Sequence, residues 1–469
     1  ALVGGGRPTA EGGAGGYTFS APDLPAGLSM AADGEITGTP TVDGRFYVTV
    51  EVEDSNSATT STIHVLDVAA ADQEGRFEIY PDSTASFSYP SITPDGRFMA
   101  IDTGDTLAGE DEVDIIDRDT DQIVASFTAR GFGHPDGVVH LSDDGRYATY
   151  YSEGTVYQHD LLNAVVTAIA SDVWWFGIAA SDDGSVVAFY SNVGELETPV
   201  DPLGDAAGPY VWDRATGTFE RIAAGLGTPV PSAESMSADG ASIAVSQNLA
   251  VYPVVEPSDG YLWDAETDST TSIGETERLF VSGDGSVVVF SPEPGFGGLV
   301  AWDRASDQRT VIVSTSDFAA NVQVSDDGRY VTFDSPSDGL VPGDTNGVSD
   351  LFQWDAVTET LTRITDGGFY GMFDAAADGG VVVFSSADPD LTGDVDLNDP
   401  AGSAVFRLDL FIWRRDGDVY ERVTQSVIGV DVKPVGITPD GRLVWFYRRP
   451  TAAFDPSELV LWNRGEVYS

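Results

Sequence analysis

The sequence predicts an all-β protein, and three observations carry that reading. Gly (52) and Pro (25) are plentiful along the 469 residues, so turns are frequent. Val, Thr, Tyr, Phe and Trp recur in short alternating bursts, the period-two pattern of half-buried strands. One phrase, close to S-x-D-G-x-x-V-x-F, returns eight times. Long amphipathic helical stretches are absent.

The phrase sets the architecture. Its turn glycines are Gly96, Gly145, Gly184, Gly240, Gly285, Gly328, Gly379 and Gly441, spaced 39 to 62 residues apart. Units of that size suit propeller blades and exceed the coils of a solenoid. In each copy a short first strand leads into Asp-Gly. That pair makes a tight hairpin, because Gly accepts positive φ and Asp bonds its own backbone. An alternating second strand follows, such as Tyr330–Phe333 or Val287–Phe290. After a loop of variable length, a third strand ends in an aromatic residue and Asp. Examples are "YVWDRATG" (210–217), "YLWDAETD" (261–268), "VAWDRASD" (300–307) and "FQWDAVTE" (352–359). A fourth strand such as "TFERIA" (218–223) completes the unit. Four antiparallel strands, eight times over, predict an eight-bladed β-propeller; a merger of two units would leave seven.

Six of the nine tryptophans, Trp212, Trp263, Trp302, Trp354, Trp413 and Trp462, share the third-strand slot. A large ring at a repeated strand position is expected to pack between neighbouring blades. Trp174 and Trp175 lie outside the slot and are the better candidates for exposure. The segment "RFEIYP" (76–81) reads as a fourth strand ahead of the first repeat, so Arg76–Tyr80 is expected to complete blade eight from outside. The terminal "GEVYS" competes for that edge.

The repeat, with "GDTNGVSDLFQWDAVTETLTRIT" (343–365) as its fullest copy, resembles the TolB-type propeller repeat of secreted bacterial proteins over about residues 76–469. The resemblance implies the fold and says little of function, since such propellers host hydrolases, lyases, scaffolds and adhesins.

Residues 1–70 lack the phrase. Strands are expected at Tyr17–Ser20, Glu35–Thr37, Arg45–Asp54 and Thr60–Val68, punctuated by Pro22, Pro25, Gly27, Gly34, Gly38, Pro40 and Gly44. The run "LPAGLSMAADGEITGTPTVDGRFYVTVEVEDS" resembles the immunoglobulin-like modules of bacterial surface proteins, which act as spacers, stalks or adhesive units. The expected organisation is an immunoglobulin-like β-sandwich (1–70), a linker (71–75) and a β-propeller (76–469). Ahead of "PTAEGG", where that family places a further strand, stands only "ALVGGGR". Three readings stay open. The short segment serves as an edge strand; the chain is a piece of a longer multi-module protein; or a strand from another molecule fills the place by β-augmentation.

Composition bounds the partners. The net charge is −53, and Lys433 is the single lysine. So acidic a surface repels phosphate backbones and anionic lipid heads, so no nucleic-acid partner and no direct membrane insertion are expected. No apolar run reaches the roughly 18 residues that would span a bilayer. Without cysteine there are no disulfides, thiolate sites or cysteine nucleophiles. The opening "ALVGGGRPTA" reads as a mature or trimmed product, consistent with a secreted protein whose signal peptide is gone.

Chemistry is sparse. Only four histidines exist, at 64, 134, 140 and 159, and His140 is placed to face a central channel. No G-x-S-x-G elbow is present. The acidic loops between second and third strands offer oxygen ligands instead. Asp394, Asp396, Asn398 and Asp399 have D-x-D-x-N spacing suited to Ca²⁺, and Asp344, Asn346 and Asp350 form a sparser version. The opposing reading is an Asx-turn network that shapes the loop. No catalytic residue or organic cofactor is expected. The reading is a non-enzymatic extracellular or cell-surface protein working through protein contacts, adhesive or structural. Its partner is another protein or itself, including a homopolymer joined by a donated β-strand, and a glycan is a further candidate. The alternative is a polysaccharide- or peptide-active enzyme with its site at the channel.

Overall fold

The structure is a computed structural model. It describes residues 15–464 apart from 23, 25–26, 35, 39–43, 69–74, 81–90, 103–110, 130–138, 174–177, 192–207, 223–231, 247–258, 277, 293–296, 368, 389–390, 393–407, 425–429 and 451–457. Every regular element among them is a β-strand.

In the amino-terminal module Thr18–Ser20, Gly44–Glu53 and Thr59–Val68 form one sheet, with the ten-residue Gly44–Glu53 strand in the middle. Leu28–Met30 and Ile36–Gly38 pair as a separate hairpin. Phe19, Val48 and Val50 are buried between them, with Leu24 and Met30 packed alongside. The strand at Leu28–Met30 goes beyond the sequence expectation, because three residues are too few for a period-two signal. "ALVGGGR" lies outside the described residues.

Eight four-stranded antiparallel sheets follow among the described residues, one for each copy of the phrase. Seven take their strands in chain order. The eighth joins Val430–Ile437, Leu443–Pro450 and Glu458–Arg464 to Gly75–Tyr80 as its outer strand, in register from Leu459↔Tyr80 to Arg464↔Gly75. The strand expected at Arg76–Tyr80 thus ties the start of the propeller to its end. The competing "GEVYS" lies outside the described residues.

Consecutive sheets bury apolar side chains against each other at every joint. Trp462 sits among Val383, Leu410 and Ile412 of blade seven, and Trp302 among Ala244, Leu262 and Ile273 of blade four. All six slot tryptophans are buried. The slot holds Ile116 in blade one, where it meets Trp445, Leu459 and Leu461 of blade eight and closes the ring. Filling each joint with one large ring plus aliphatic neighbours contributes about 2 kcal/mol or more per ring by burial alone.

The repeated phrase is a turn that satisfies itself. In "SDDG" (325–328) the Ser325 hydroxyl donates to Asp327 Oδ1 at 2.7 Å and accepts the Tyr330 N–H at 2.9 Å. The Arg329 N–H donates to the same Asp327 oxygen at 3.0 Å, and the Gly328 N–H to the Ser325 carbonyl at 2.9 Å. The result is a type I turn followed by a glycine at φ 68°. The network recurs with Thr93 and Asp95, Ser142 and Asp144, Ser282 and Asp284, and Thr438 and Asp440. A Cβ on Gly328 would also stand 2.7 Å from Val287 Cβ of the preceding blade. Glycine is therefore required twice, by the turn and by the joint.

Candidate functional site

The first strands line the central channel, and two positions in the phrase govern what they present there. The residue between Ser and Asp of the turn links neighbouring blades through its backbone. The Asp143 N–H donates to the Asp182 carbonyl at 2.7 Å, Asp182 to Ala238 at 2.8 Å and Ala238 to Gly283 at 2.8 Å. The belt resumes one residue on, from Asp284 to Asp326, then to Ala377, then to the Pro439 carbonyl at 3.1 Å. At the position between Ser and Asp, three of the side chains are carboxylates: Asp143, Asp182 and Asp326. Each still meets solvent, yet partial desolvation first and then repulsion from neighbouring carboxylates hold it above the usual carboxylate range. Asp182 is pushed up to about 6.

The residue five before each turn glycine forms a second level: Ser91, His140, Ala179, Ser235, Phe280, Gln323, Asp374 and Gly436. Here too the contacts run from blade to blade. The Val281 N–H donates to Ser235 Oγ at 3.0 Å and the Ile437 N–H to Asp374 Oδ2 at 2.8 Å. Gln323 Nε2 donates to Asp374 Oδ1 at 2.8 Å, and the Ala375 N–H shares that oxygen at 2.9 Å. Asp374 thus staples blade seven to blades six and eight. Three donors favour its charged form, yet burial outweighs them and lifts the carboxyl to about 6. A cavity of about 370 Å³ opens beside it, bordered by Ser235, Phe280, Gln323, Tyr330, Asp326 and Asp374.

Two pairs of blades four apart in the ring repeat the same cross-ties. Gln158 Nε2 bonds Thr149 Oγ1 and the Gly184 carbonyl, as Gln353 Nε2 bonds Thr332 Oγ1 and the Gly379 carbonyl. Arg146 pairs with Asp160 and Arg329 with Asp355. Arg214 stacks over Tyr147, and Arg415 over Tyr330.

The sparser acidic loop is brought together. Asp344 and Asp350 are buried, and Asn346 Nδ2 donates to Asp350 Oδ2 at 3.1 Å. The cation between them is Arg363, whose Nη2 lies 2.5 Å from Asp350 and 3.3 Å from Asp344. Asp350 Oδ1 also accepts from the Thr365 hydroxyl and the Gly367 N–H. Burial and the neighbouring carboxylates still hold the Asp344 carboxyl above its ordinary range. Asp394, Asp396, Asn398 and Asp399 lie outside the described residues. Among the described residues, no three His, Cys, Asp or Glu side chains converge to hold a metal ion.

Of the histidines, His140 stands in the first strand of blade two, paired with Thr149. His159 fills the slot used elsewhere by tryptophan, next to Phe127, and burial lowers its pKa. On the outside, the fourth strands of blades one and two and the turn before the second expose Ile123 (59%), Val124, Leu162 (76%), Val165 and Val166. Single valines are exposed on other fourth strands, Val311 and Val419 among them, but sequence reading missed the concentration of apolar residues in "QIVAS" and "LLNAVVT". It also missed Asp374, because the level it occupies holds a different residue in nearly every blade.

Residues 4–69 match the family model described as Putative Ig domain. No curated protein matches the chain. Among solved structures, dipeptidyl peptidase 4 of Porphyromonas gingivalis aligns at a TM-score of 0.50 and 13% identity, over 77% of this chain and 56% of that one. An oligogalacturonate lyase in complex with manganese aligns at 0.44 and 14%, over 85% and 99%. TolB from Acinetobacter baumannii aligns at 0.33 and 15%, over 86% and 78%. This chain spans little more than half the length of the peptidase. Identities this low speak to fold alone. The chain joins an immunoglobulin-like module to a β-propeller.

Proposed function

We propose that the chain is a non-enzymatic extracellular or cell-surface protein that acts through protein–protein contacts, as an adhesive or structural subunit. The observation that carries this is the rim of blades one and two. Five large apolar side chains stand exposed there on a protein of net charge −53, where charged residues would serve solubility better. The immunoglobulin-like module supplies a second contact. Among the described residues its Thr59–Val68 strand pairs on one side only, which leaves an edge for a donated strand and for head-to-tail assembly. Sedimentation of the full chain at rising concentration tests the reading. Association is expected, and Val165→Lys with Val166→Lys should weaken it at least tenfold. A single species at every concentration, unchanged by those substitutions, removes self-assembly from the proposal.

The second reading, a polysaccharide- or peptide-active enzyme, is favoured by the cavity beside Asp374. New reducing ends or cleaved peptides from a substrate panel would establish it. Calcium in the acidic loops is a separate proposal. At 344–350 a Ca²⁺ ion has to displace Arg363, so only the 394–399 loop is expected to lose thermal stability in EDTA.

A further inference from the structure

We infer that the channel cavity is a binding site for a small organic cation, a primary ammonium on an apolar group, with Asp374 as its anion and Phe280 as its aromatic wall. Three features of the cavity converge on that chemistry. The Asp374 carboxylate accepts three hydrogen bonds from neutral donors, Gln323 and the N–H groups of Ala375 and Ile437, and no cationic side chain pairs with it among the described residues. A buried charge in that condition gains from a counter-ion. Gln323 Oε1 is buried with no hydrogen-bond partner, beside the amide nitrogen that Asp374 engages. It needs a donor, and an ammonium offers three. Phe280 stands on the adjacent blade at the same level, with Val281, Val322 and Ile437 around the cavity. An aromatic face and aliphatic walls hold an organic cation and stabilise its charge through the ring quadrupole. A bare divalent ion wants six or more oxygens and gains nothing from those walls. The volume of about 370 Å³ admits a molecule of the size of a benzylamine. At this level blade eight contributes Gly436, and the Trp445 indole fills the space that a Cβ there would need.

Benzylammonium chloride is the probe, with benzyl alcohol as its neutral counterpart, titrated calorimetrically into the full chain at constant ionic strength. Saturable binding of benzylammonium at one site is expected, with benzyl alcohol at least tenfold weaker. Asp374→Asn should reduce the affinity at least tenfold while leaving the other 75 acidic residues in place, so surface ion exchange cannot mimic the loss. Where Asp374→Asn does not fold, Phe280→Ala decides, with the same tenfold loss expected. No saturable heat, equal binding of the alcohol, or undiminished binding in the deciding variant overturns the inference.

Discussion

The joints that close the ring differ from the joints within it. From blade two to blade eight, backbone N–H groups of one turn reach the carbonyls of the next. Blades eight and one carry the same six residues, ITPDGR, at 437–442 and 92–97, and their prolines occupy the position that donates elsewhere. Pro439 has no N–H to give blade one, and Pro94 none to give blade two. These joints are held by other means. Blade eight takes Gly75–Tyr80 as its outer strand, Met99 and Ile116 pack on Trp445 and Leu461, and the Leu141 N–H reaches Ser91 Oγ at 3.4 Å. Interior joints use main-chain bonds that depend on turn geometry, whereas the closing joint depends on side chains and one strand from the other end of the propeller. Early opening is therefore expected at the closure.

Alanine at a turn glycine separates the two kinds of joint most strongly. Gly328 and Gly96 sit at φ 68° and 71°, so each substitution carries the left-handed cost of about 1–2 kcal/mol. At Gly328 the new methyl also meets the stiff, β-branched Val287, whose Cβ would lie 2.7 Å away. At Gly96 it meets the flexible tip of Leu443 at 3.0 Å. Gly328→Ala is expected to cost about 3 kcal/mol and Gly96→Ala about half that. Equal losses in denaturant titrations would mean that the closing joint is packed as rigidly as the interior ones.

The carboxylates on the belt sharpen the contrast through pH. Asp182 is raised to about 6 in the folded chain, against an ordinary value of 3.8. The native state therefore holds its proton where the unfolded chain has lost it. This contribution to stability falls as pH rises from about 4 to about 6 and is level above. Asp117, Asp160 and Asp355, lowered first by their hydrogen-bonded arginines, act in the other sense: their contribution is complete above about 4 and fades below. Stability should peak near pH 4–5. Because Asp182 still meets solvent, Asp182→Asn should add only about 1 kcal/mol at pH 7 and nothing at pH 4. A gain of the same size at both pH values would point to packing instead of charge.

Much of this was legible in the chain, for a physical reason. Ser, Asp and Gly recur because each makes a bond or takes a φ that no other residue supplies as well, so the turn writes itself into the sequence. The tryptophan slot and the strand at 76–80 were readable on the same grounds. The belt was not, because it is made of main-chain groups that any residue but proline carries. Its gaps, however, are visible as the two ITPDGR copies. The acidic spacing at 344–350 read as oxygen ligands for a cation. The spacing alone did not reveal that Arg363, on the fourth strand of the same blade, reaches both carboxylates.

The finest test makes an interior joint resemble the closure. Ala238 occupies the position filled by Pro94 and Pro439, the second residue of a type I turn, where proline's fixed φ is accommodated. Ala238→Pro therefore removes one thing, the N–H that donates to the Gly283 carbonyl at 2.8 Å. That bond is worth about 1 kcal/mol. The stiffer unfolded chain returns about half of it, so the net loss should stay under about 1 kcal/mol. In hydrogen exchange, protection should drop in the first strands of blades four and five and leave blades six and seven untouched. A loss of several kcal/mol would show that the prolines at the closure are tolerated only because the shared outer strand compensates for them. Near-neutrality would show that the belt orders the turns without governing global stability, and that the ring can afford its gaps wherever apolar packing is intact.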